Sequence, residues 1–120
     1  MVATREDHIV PWRSAYRTLD LVGSKDKAFV LGASGHIAGI VNPAAKKRRS
    51  HWVSAGRSFP QEPEAWLAGA TEVPGSWWTC WSEWLGARAG KRRAAPKKAG
   101  NRKYRPIEPA PGRYVKERIN

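Results

Sequence analysis

An aspartate and a histidine in the first third of the chain have the types and the spacing of an acid–base pair. Asp7 lies in "REDHIVPW" and His36 lies in "VLGASGHIAGIVNP", 29 residues further on. This separation is close to the length of one strand–helix–strand unit, so both residues would follow parallel strands at the same edge of a sheet. A carboxylate that accepts from one imidazole nitrogen fixes the tautomer and leaves the other nitrogen available as a general base. The alternative interpretation is a surface aspartate and an incidental turn histidine.

Two other residues have the chemistry of nucleophiles, but neither has the surroundings that a nucleophile needs. Ser34 lies in "GASGH", which nearly matches the Gly-x-Ser-x-Gly elbow, but His36 replaces the last glycine and no helix start follows. Cys80 is the only cysteine and lies among tryptophans, where a thiol usually serves as a small hydrophobic group. We therefore expect a turn at Ser34, a structural thiol at Cys80, and neither a disulfide nor a cysteine-based metal site.

The two remaining histidines are expected to have structural or loop roles. His8 is adjacent to Asp7 and could orient or solvate its carboxylate. His51, in "RSHWVS", has no partner at the spacing of metal ligands. We therefore predict no metal site and no cofactor.

A strand–helix–strand pattern would place the acid–base pair. Residues 1–4 are predicted to end a strand, and a helix of about residues 12–22 follows Pro11. The apolar positions of that helix share one face: Trp12, Ala15, Tyr16 and Leu19. "AFVLGA" (28–33) predicts a strand that is buried on both faces, and we expect "AGIVN" (38–42) to be another short strand.

The second half of the chain is predicted to be helical and then extended. After the basic loop "PAAKKRRS", a short helix is expected from Glu64, and Ser76 is a candidate N-cap for a tryptophan-rich helix. The apolar stripe of that helix would either pack on the protein body or contact a polymer, a partner or a membrane interface: Trp77, Trp78, Trp81, Trp84 and Leu85. So few strands cannot support a sheet alone, which favours the C-terminal portion of a larger α/β protein. We assign residues 1–90 to that portion and residues 91–120 to a basic, proline-containing extended tail.

The charge of the chain favours an anionic partner without identifying it. The formal net charge is +12, and Lys and Arg cluster in residues 46–49 and 91–105. These blocks could be solvated, or they could attract phosphates or nucleic acid. They are separate from the tryptophans, which weakens the case for base stacking. No apolar run is long enough to span a membrane, no secretory signal is recognised, and the single cysteine fits a reducing, cytoplasmic setting.

Four ordered blocks of the sequence closely resemble the C-terminal part of class I poly(R)-3-hydroxyalkanoate synthases. They are "REDHIVPWRSAY", "FVLGASGHIAGIVNPAAKKRRSHW", "AWLAGATEVPGSWWTCWSEWL" and "YRPIEPAPGRYVK", and only "GARAGKRRAAPKKAGN" looks like a variable insert. The resemblance implies the last strands and helices of an α/β-hydrolase-like fold. It also implies an acyltransferase that polymerises (R)-3-hydroxyacyl-coenzyme A into a storage polyester and releases coenzyme A.

The resemblance also assigns roles to the acid–base pair. Asp7 and His36 match two members of the family's Cys-Asp-His triad, whereas the nucleophilic cysteine of a Gly-x-Cys-x-Gly motif is not in this sequence and Cys80 does not match it. His36 would deprotonate that cysteine, and Asp7 would orient His36 or help to activate a hydroxyl. The isolated chain is therefore expected to be inactive, and the full-length enzyme is expected to be a granule-associated homodimer. The alternatives are a small basic nucleic-acid-binding protein and a non-catalytic module that docks on polyester granules or on a synthase subunit.

Overall fold

The computed structural model of the chain describes residues 1–54 and 59–119. The chain divides into two compact units, one of Met1–Arg88 and a second that begins at Ala89. The first unit contains every strand and α-helix described below. None of the helices in the described ranges is long and apolar enough to cross a bilayer.

Four short strands form one mixed sheet in the order β1-β2-β3-β4. The strands are β1 (Val2–Thr4), β2 (Val30–Gly32), β3 (Ser50–Val53) and β4 (Thr71–Pro74). β1 and β2 are parallel, whereas β3 runs antiparallel to β2 and β4 runs antiparallel to β3. Because Thr4 pairs with Gly32 at the ends of β1 and β2, the loops that follow these two residues leave the same edge of the sheet.

One face of the sheet is covered by two helices, α1 (Trp12–Leu21) and α2 (Pro63–Gly69). α1 connects β1 to β2, as the sequence predicts, and its apolar stripe is directed to the core. The buried cluster on this face consists of Ala3, Trp12, Tyr16, Leu19, Phe29, Leu31 and Trp66. Aromatic rings pack edge to face within it, with the centroids of Tyr16 and Phe29 5.1 Å apart and those of Phe29 and Trp66 4.9 Å apart.

The third helix, α3 (Trp78–Gly86), lies beside the other face of the sheet. Val2 and Val30, which alternate along their strands with the core residues, line a groove together with Cys80, Trp81 and Trp84 of this helix. Trp81 and Trp84 are 46% and 48% exposed, so the outer part of the stripe remains accessible. The predicted N-cap Ser76 is displaced by one residue from the cap position at Trp77, but its hydroxyl still accepts the Trp78 N–H at 3.1 Å.

The sequence-based expectation for residues 38–42 is wrong. The segment forms turns instead of a strand, with the Gly39 N–H bonded to the Gly35 carbonyl at 2.7 Å and the Val41 N–H to the Ile37 carbonyl at 2.8 Å. The β-branched residues favour a strand locally, but Gly39 packs against Thr4 with no room for a β-carbon, and turn hydrogen bonds form there instead. Tertiary packing therefore overrides local propensity.

Two strands were missed in the sequence, and one helix is shorter than expected. β3 begins at Ser50, the last residue of the segment interpreted as a basic loop. The helix predicted from Glu64 ends at Gly69, and β4 contains Thr71 and Glu72, which were assigned to that helix. β2 is therefore paired on both sides, with β1 and β3, and the sheet contains more strands than the sequence predicts. β2 is nevertheless buried along its whole length, as predicted.

The second unit contains local turns and one short 3₁₀ helix, Tyr114–Lys116. The Asn101 side chain accepts the N–H groups of Lys103 and Tyr104, each at 2.9 Å. The interpretation of residues 1–90 as a catalytic-domain portion and of residues 91–120 as an extended basic tail stays a prediction.

Candidate active site

Asp7 is held in the turn that follows β1 by hydrogen bonds to both carboxylate oxygens. Its Oδ1 accepts the backbone N–H groups of Ile9 and Val10, at 2.9 and 2.8 Å. The Thr4 hydroxyl lies 3.4 Å from Oδ2. An aspartate that bonds backbone groups two and three residues ahead forms a local turn, which explains why this loop changes direction here.

The structure brings His36 to Asp7, although 29 residues separate them in sequence. Nδ1 of His36 lies 2.8 Å from Oδ2 of Asp7. The histidine side chain is 43% exposed and the aspartate side chain only 7%. Among the described residues, Nε2 of His36 has no hydrogen-bond partner. One imidazole nitrogen is therefore engaged by Asp7, while the histidine side chain remains partly exposed.

The surroundings of Asp7 stabilise its ionised form. The hydrogen bond from the Val10 N–H is the largest cause of a pKa lowered to about 2, against the ordinary 3.8. Burial acts in the opposite direction, and the hydrogen bond to His36 lowers the pKa further. At neutral pH the carboxylate is therefore an acceptor, and Nδ1 of His36 must donate to it. This bonding leaves Nε2 of a neutral imidazole as a proton acceptor.

The loops that carry the two residues are bonded to each other. The Glu6 N–H donates to the Ser34 carbonyl at 3.1 Å, and the Arg5 N–H donates to the Gly32 carbonyl at 2.8 Å. Ser34 has a φ of 76°, in the left-handed region, so it forms the tight turn expected at this position. These contacts extend the pairing of β1 and β2 beyond the sheet and bring both loops to the same edge.

Three consecutive side chains before and at the start of α3 bond the segment that follows His36. The indole N–H of Trp77 donates to the Gly39 carbonyl at 2.9 Å, and that of Trp78 donates to the Ile40 carbonyl at 2.8 Å. The Ser76 hydroxyl donates to the Asn42 carbonyl. These contacts were not predicted from the sequence. A signal was present, because adjacent tryptophans are about 100° apart on a helix and cannot both belong to one narrow stripe.

The other candidate residues lie in different surroundings. Cys80 lines the groove near the beginning of β2, and burial, followed by the charge of Glu83, raises the pKa of its thiol. His51 is buried in β3, where Nδ1 lies 3.1 Å from the Gly75 carbonyl. His8 is exposed in the loop after Asp7. Neither histidine belongs to a group of three or more potential metal ligands, and the described residues contain no such group.

The basic segment of residues 46–49 is anchored through its backbone. The Arg48 carbonyl accepts the Asn42 side-chain amide at 3.2 Å, and the Arg49 carbonyl accepts the Gly75 N–H at 2.7 Å. All four residues of the segment are exposed. The charged groups are therefore displayed to solvent on a fixed loop.

Comparison with known proteins identifies relatives over nearly the whole chain. No protein-family model matches it. It is 58% identical over 113 residues to the poly(3-hydroxyalkanoate) polymerase subunit PhaC of Cupriavidus necator, a match that covers 94% of this chain and 19% of that protein. It is 45% identical over 117 residues to poly(3-hydroxyalkanoate) polymerase 1 of Ectopseudomonas oleovorans, a match that covers 98% of this chain and 20% of that protein. It is also 45% identical over 117 residues to the poly(3-hydroxyalkanoate) polymerase subunit PhaC of Rhizobium etli, a match that covers 98% of this chain and 18% of that protein. The chain spans about a fifth of the length of these relatives.

Proposed function

Because this chain is homologous to a segment of the poly(3-hydroxyalkanoate) polymerases, we propose that it forms part of such an enzyme and supplies its acid–base pair. The observation that carries the proposal is the 2.8 Å contact between Nδ1 of His36 and Oδ2 of Asp7, made by a histidine side chain that is 43% exposed. The mixed α/β sheet fits the C-terminal part of an α/β-hydrolase-like fold. The homology favours this function over the nucleic-acid-binding alternative.

In this proposal, His36 is the general base for a cysteine outside this chain. Nε2 accepts the proton of that thiol, and the thiolate attacks the thioester carbonyl of an (R)-3-hydroxyacyl-coenzyme A. The acyl group is transferred to the cysteine sulfur, and coenzyme A leaves as a thiol after it takes the proton from His36. In the next step, His36 accepts the proton of a 3-hydroxyl group, whose oxygen attacks an acyl thioester and forms the ester bond of the polymer. The C–S bond of that thioester breaks, and the leaving thiolate takes the proton back from His36.

Asp7 is the positioning and charge-balancing member of the pair. Its carboxylate holds Nδ1–H and stabilises the imidazolium that forms whenever Nε2 accepts a proton. Its two backbone hydrogen bonds fix the direction of the carboxylate before the substrate arrives. The low pKa of Asp7 favours the ionised carboxylate, which can balance a positive charge on the imidazole.

Cys80 has no role in this mechanism. Burial raises the pKa of its thiol, which disfavours the reactive thiolate. Cys80 also lies near the beginning of β2, whereas His36 follows the end of that strand.

We propose a cytoplasmic enzyme associated with polyester granules, in which the exposed tryptophans of α3 face a hydrophobic partner.

The test uses a hybrid polymerase in which this chain replaces the homologous segment of the Cupriavidus necator relative, to which it is 58% identical. The rate of coenzyme A release from (R)-3-hydroxybutyryl-coenzyme A is measured with a thiol reagent. Asp7→Asn is expected to lower kcat by on the order of 10⁴-fold, because the amide would donate to Nδ1 and force the proton onto Nε2. His36→Gln is expected to lower kcat by a similar or larger factor.

Glu6→Gln is the matched control, because it neutralises an exposed carboxylate one residue from Asp7 without changing a contact to His36. It should leave kcat within about twofold of the unsubstituted hybrid. Near-normal activity of Asp7→Asn or His36→Gln would refute the assignment. The isolated 120-residue chain is expected to release no coenzyme A, and release above a His36→Ala control would contradict the need for an external cysteine.

A further inference from the structure

The segment that follows His36 is fixed by side chains that come from a distant part of the sequence. We call residues 36–42 the His36 turn. Its carbonyls at Gly39 and Ile40 accept the indole N–H groups of Trp77 and Trp78, each pair 38 residues apart in sequence. The turn belongs to no helix or strand, so these carbonyls have no partner in a regular ladder. The bond from Trp77 to Gly39 is buried, and a buried backbone carbonyl requires a donor. The bond from Trp78 to Ile40 is exposed, and the Ile40 carbonyl also accepts the Asn42 N–H at 3.1 Å.

The two ends of the His36 turn are held differently. Before His36, the Ser34 carbonyl is bonded to the Glu6 backbone in the loop of Asp7. After His36, the described backbone hydrogen bonds of the turn are all local, from Gly39 to Gly35, from Val41 to Ile37 and from Asn42 to Ile40. Local bonds fix the shape of the turn but not its position relative to Asp7. The side chains of residues 76–78 provide hydrogen bonds that connect the turn to a distant part of the chain.

Packing around Gly39 shows that the turn has little freedom. A β-carbon at Gly39 would lie 2.4 Å from Cγ2 of Thr4, the residue that ends β1 and contacts Asp7. On the other side, Trp77 is 8% exposed and lies against Gly32, at the end of β2. Gly39, the buried centre of the turn, is therefore enclosed between the end of the parallel strand pair and the start of α3. A loss of an indole donor would release one side of this enclosure.

We propose that Trp77 and Trp78 are positioning residues for His36. Their indole N–H groups hold the His36 turn against the strand ends, and this placement keeps Nδ1 of the imidazole within hydrogen-bond distance of Asp7. Indole suits this role because it is a rigid ring that donates and does not accept. The importance of this placement for catalysis rests on the proposed function. The effect on the Asp7–His36 contact does not.

The first test measures the tautomer of His36 in the 120-residue chain by long-range ¹⁵N–¹H NMR at neutral pH. Trp78→Phe keeps an aromatic ring but removes the N–H donor to Ile40. The unsubstituted chain is expected to show Nδ1 protonated and Nε2 unprotonated in the neutral ring. Trp78→Phe is expected to shift the signals towards a mixture of the two tautomers, since Asp7 no longer fixes the ring. Trp77→Phe should shift them in the same direction.

Trp84→Phe is the matched control on the same helix. Its ring contacts the Arg88 guanidinium at 4.1 Å, and its indole N–H has no hydrogen-bond partner within residues 1–54 and 59–119. This variant should leave the His36 tautomer unchanged. If Trp78→Phe is poorly folded, as judged from its amide spectrum, Trp77→Phe decides the same question. Well-folded Trp77→Phe and Trp78→Phe variants with the unsubstituted tautomer would overturn the proposal, even if their unfolding midpoints fall.

The second test measures kcat and KM in the hybrid polymerase. Trp78→Phe is expected to lower kcat by about ten- to hundredfold, because small misplacements of a catalytic group cost this much. KM should remain within about twofold, since the indole does not contact substrate in this proposal. An unchanged kcat together with an unchanged tautomer refutes the positioning role. A shifted tautomer in a hybrid whose activity does not require His36 supports the positioning role and refutes the proposed function instead.

Discussion

A methyl group added at Gly39 is expected to destabilise the chain through three identifiable contacts. The new β-carbon of Gly39→Ala would lie 2.4 Å from Cγ2 of Thr4 and 2.8 Å from each of the carbonyl oxygens of Ala33 and Gly35. All three distances are shorter than normal carbon contacts allow. Two of the contacting atoms belong to the backbone, and Thr4 is 1% exposed, so none of them can move into solvent. Overpacking of this kind typically costs about 1–3 kcal/mol.

Gly35→Ala provides a matched control in the loop that precedes the His36 turn. Its β-carbon would meet only the Glu6 carbonyl oxygen, at 3.4 Å, which is an ordinary contact. We expect it to lower the free energy of unfolding by less than about 1 kcal/mol. The assay is urea unfolding followed by tryptophan fluorescence, with stability compared from the midpoint at constant m-value. Equal midpoints for the Gly39→Ala and Gly35→Ala variants would refute the steric reasoning.

A second substitution identifies which contact matters. Thr4→Ser removes the Cγ2 atom but keeps the hydroxyl that faces Asp7. In a Thr4→Ser background, Gly39→Ala should therefore cost less than in the unsubstituted chain. The rescue should be incomplete, because the two contacts with backbone carbonyl oxygens remain. Strictly additive effects would show that Thr4 and Gly39 do not approach as closely as the structure indicates.

Two further predictions concern ionisable groups. The pKa of Asp7 is about 2 in the folded chain and ordinarily 3.8, so the stability that its ionised form contributes is complete above about pH 4 and is lost as the pH falls towards 2. Unfolding midpoints at about pH 5 and about pH 2.5 should therefore differ less in Asp7→Asn than in the unsubstituted chain, and an equal difference would contradict the cause assigned to the low pKa. Because burial raises the pKa of the Cys80 thiol, its reaction with a disulfide reagent at neutral pH should be slower in the folded chain than in urea, and equal rates would contradict this. Cys80→Ser should leave the kcat of the hybrid polymerase within about twofold.

The beginning of the fold could be predicted because its signals are local. α1 has four apolar positions at helical spacing after a proline, and β2 is a short apolar run bounded by charge and glycine. β3 and β4 were missed because they lack such patterns. Ser50–Val53 and Thr71–Pro74 mix polar and apolar residues, and each is only four residues long. Such strands form because they pair with segments that are distant in sequence, and a short window of sequence does not contain that information.

The candidate site, like the fold, could be predicted only in part. The approach of Asp7 to His36 follows from topology, because parallel strands joined by a helix place their carboxyl ends at one edge. The contacts of Trp77 and Trp78 do not follow from topology, because their acceptors are backbone carbonyls in a turn that the local propensities favour as a strand. The tryptophans were therefore interpreted only as an apolar stripe. A hydrophobic pattern does not take account of their indole N–H groups, which donate hydrogen bonds.

In the proposed function, the exposures of Asp7 and His36 indicate where the rest of the active site would approach. Asp7 is nearly enclosed by its own loop and by His36, whereas almost half of the imidazole is accessible. The Nδ1 side of that ring is occupied by Asp7, so Nε2 is the position at which a thiol or a hydroxyl can give up a proton. In that function, a nucleophile would reach the pair from beyond the carboxyl ends of β1 and β2. Neither Ser34, which is committed to a left-handed turn, nor Cys80, near the start of β2, is placed to do so. The geometry of this segment thus favours a division of labour in which one part of a polymerase positions the base and another part presents the nucleophile.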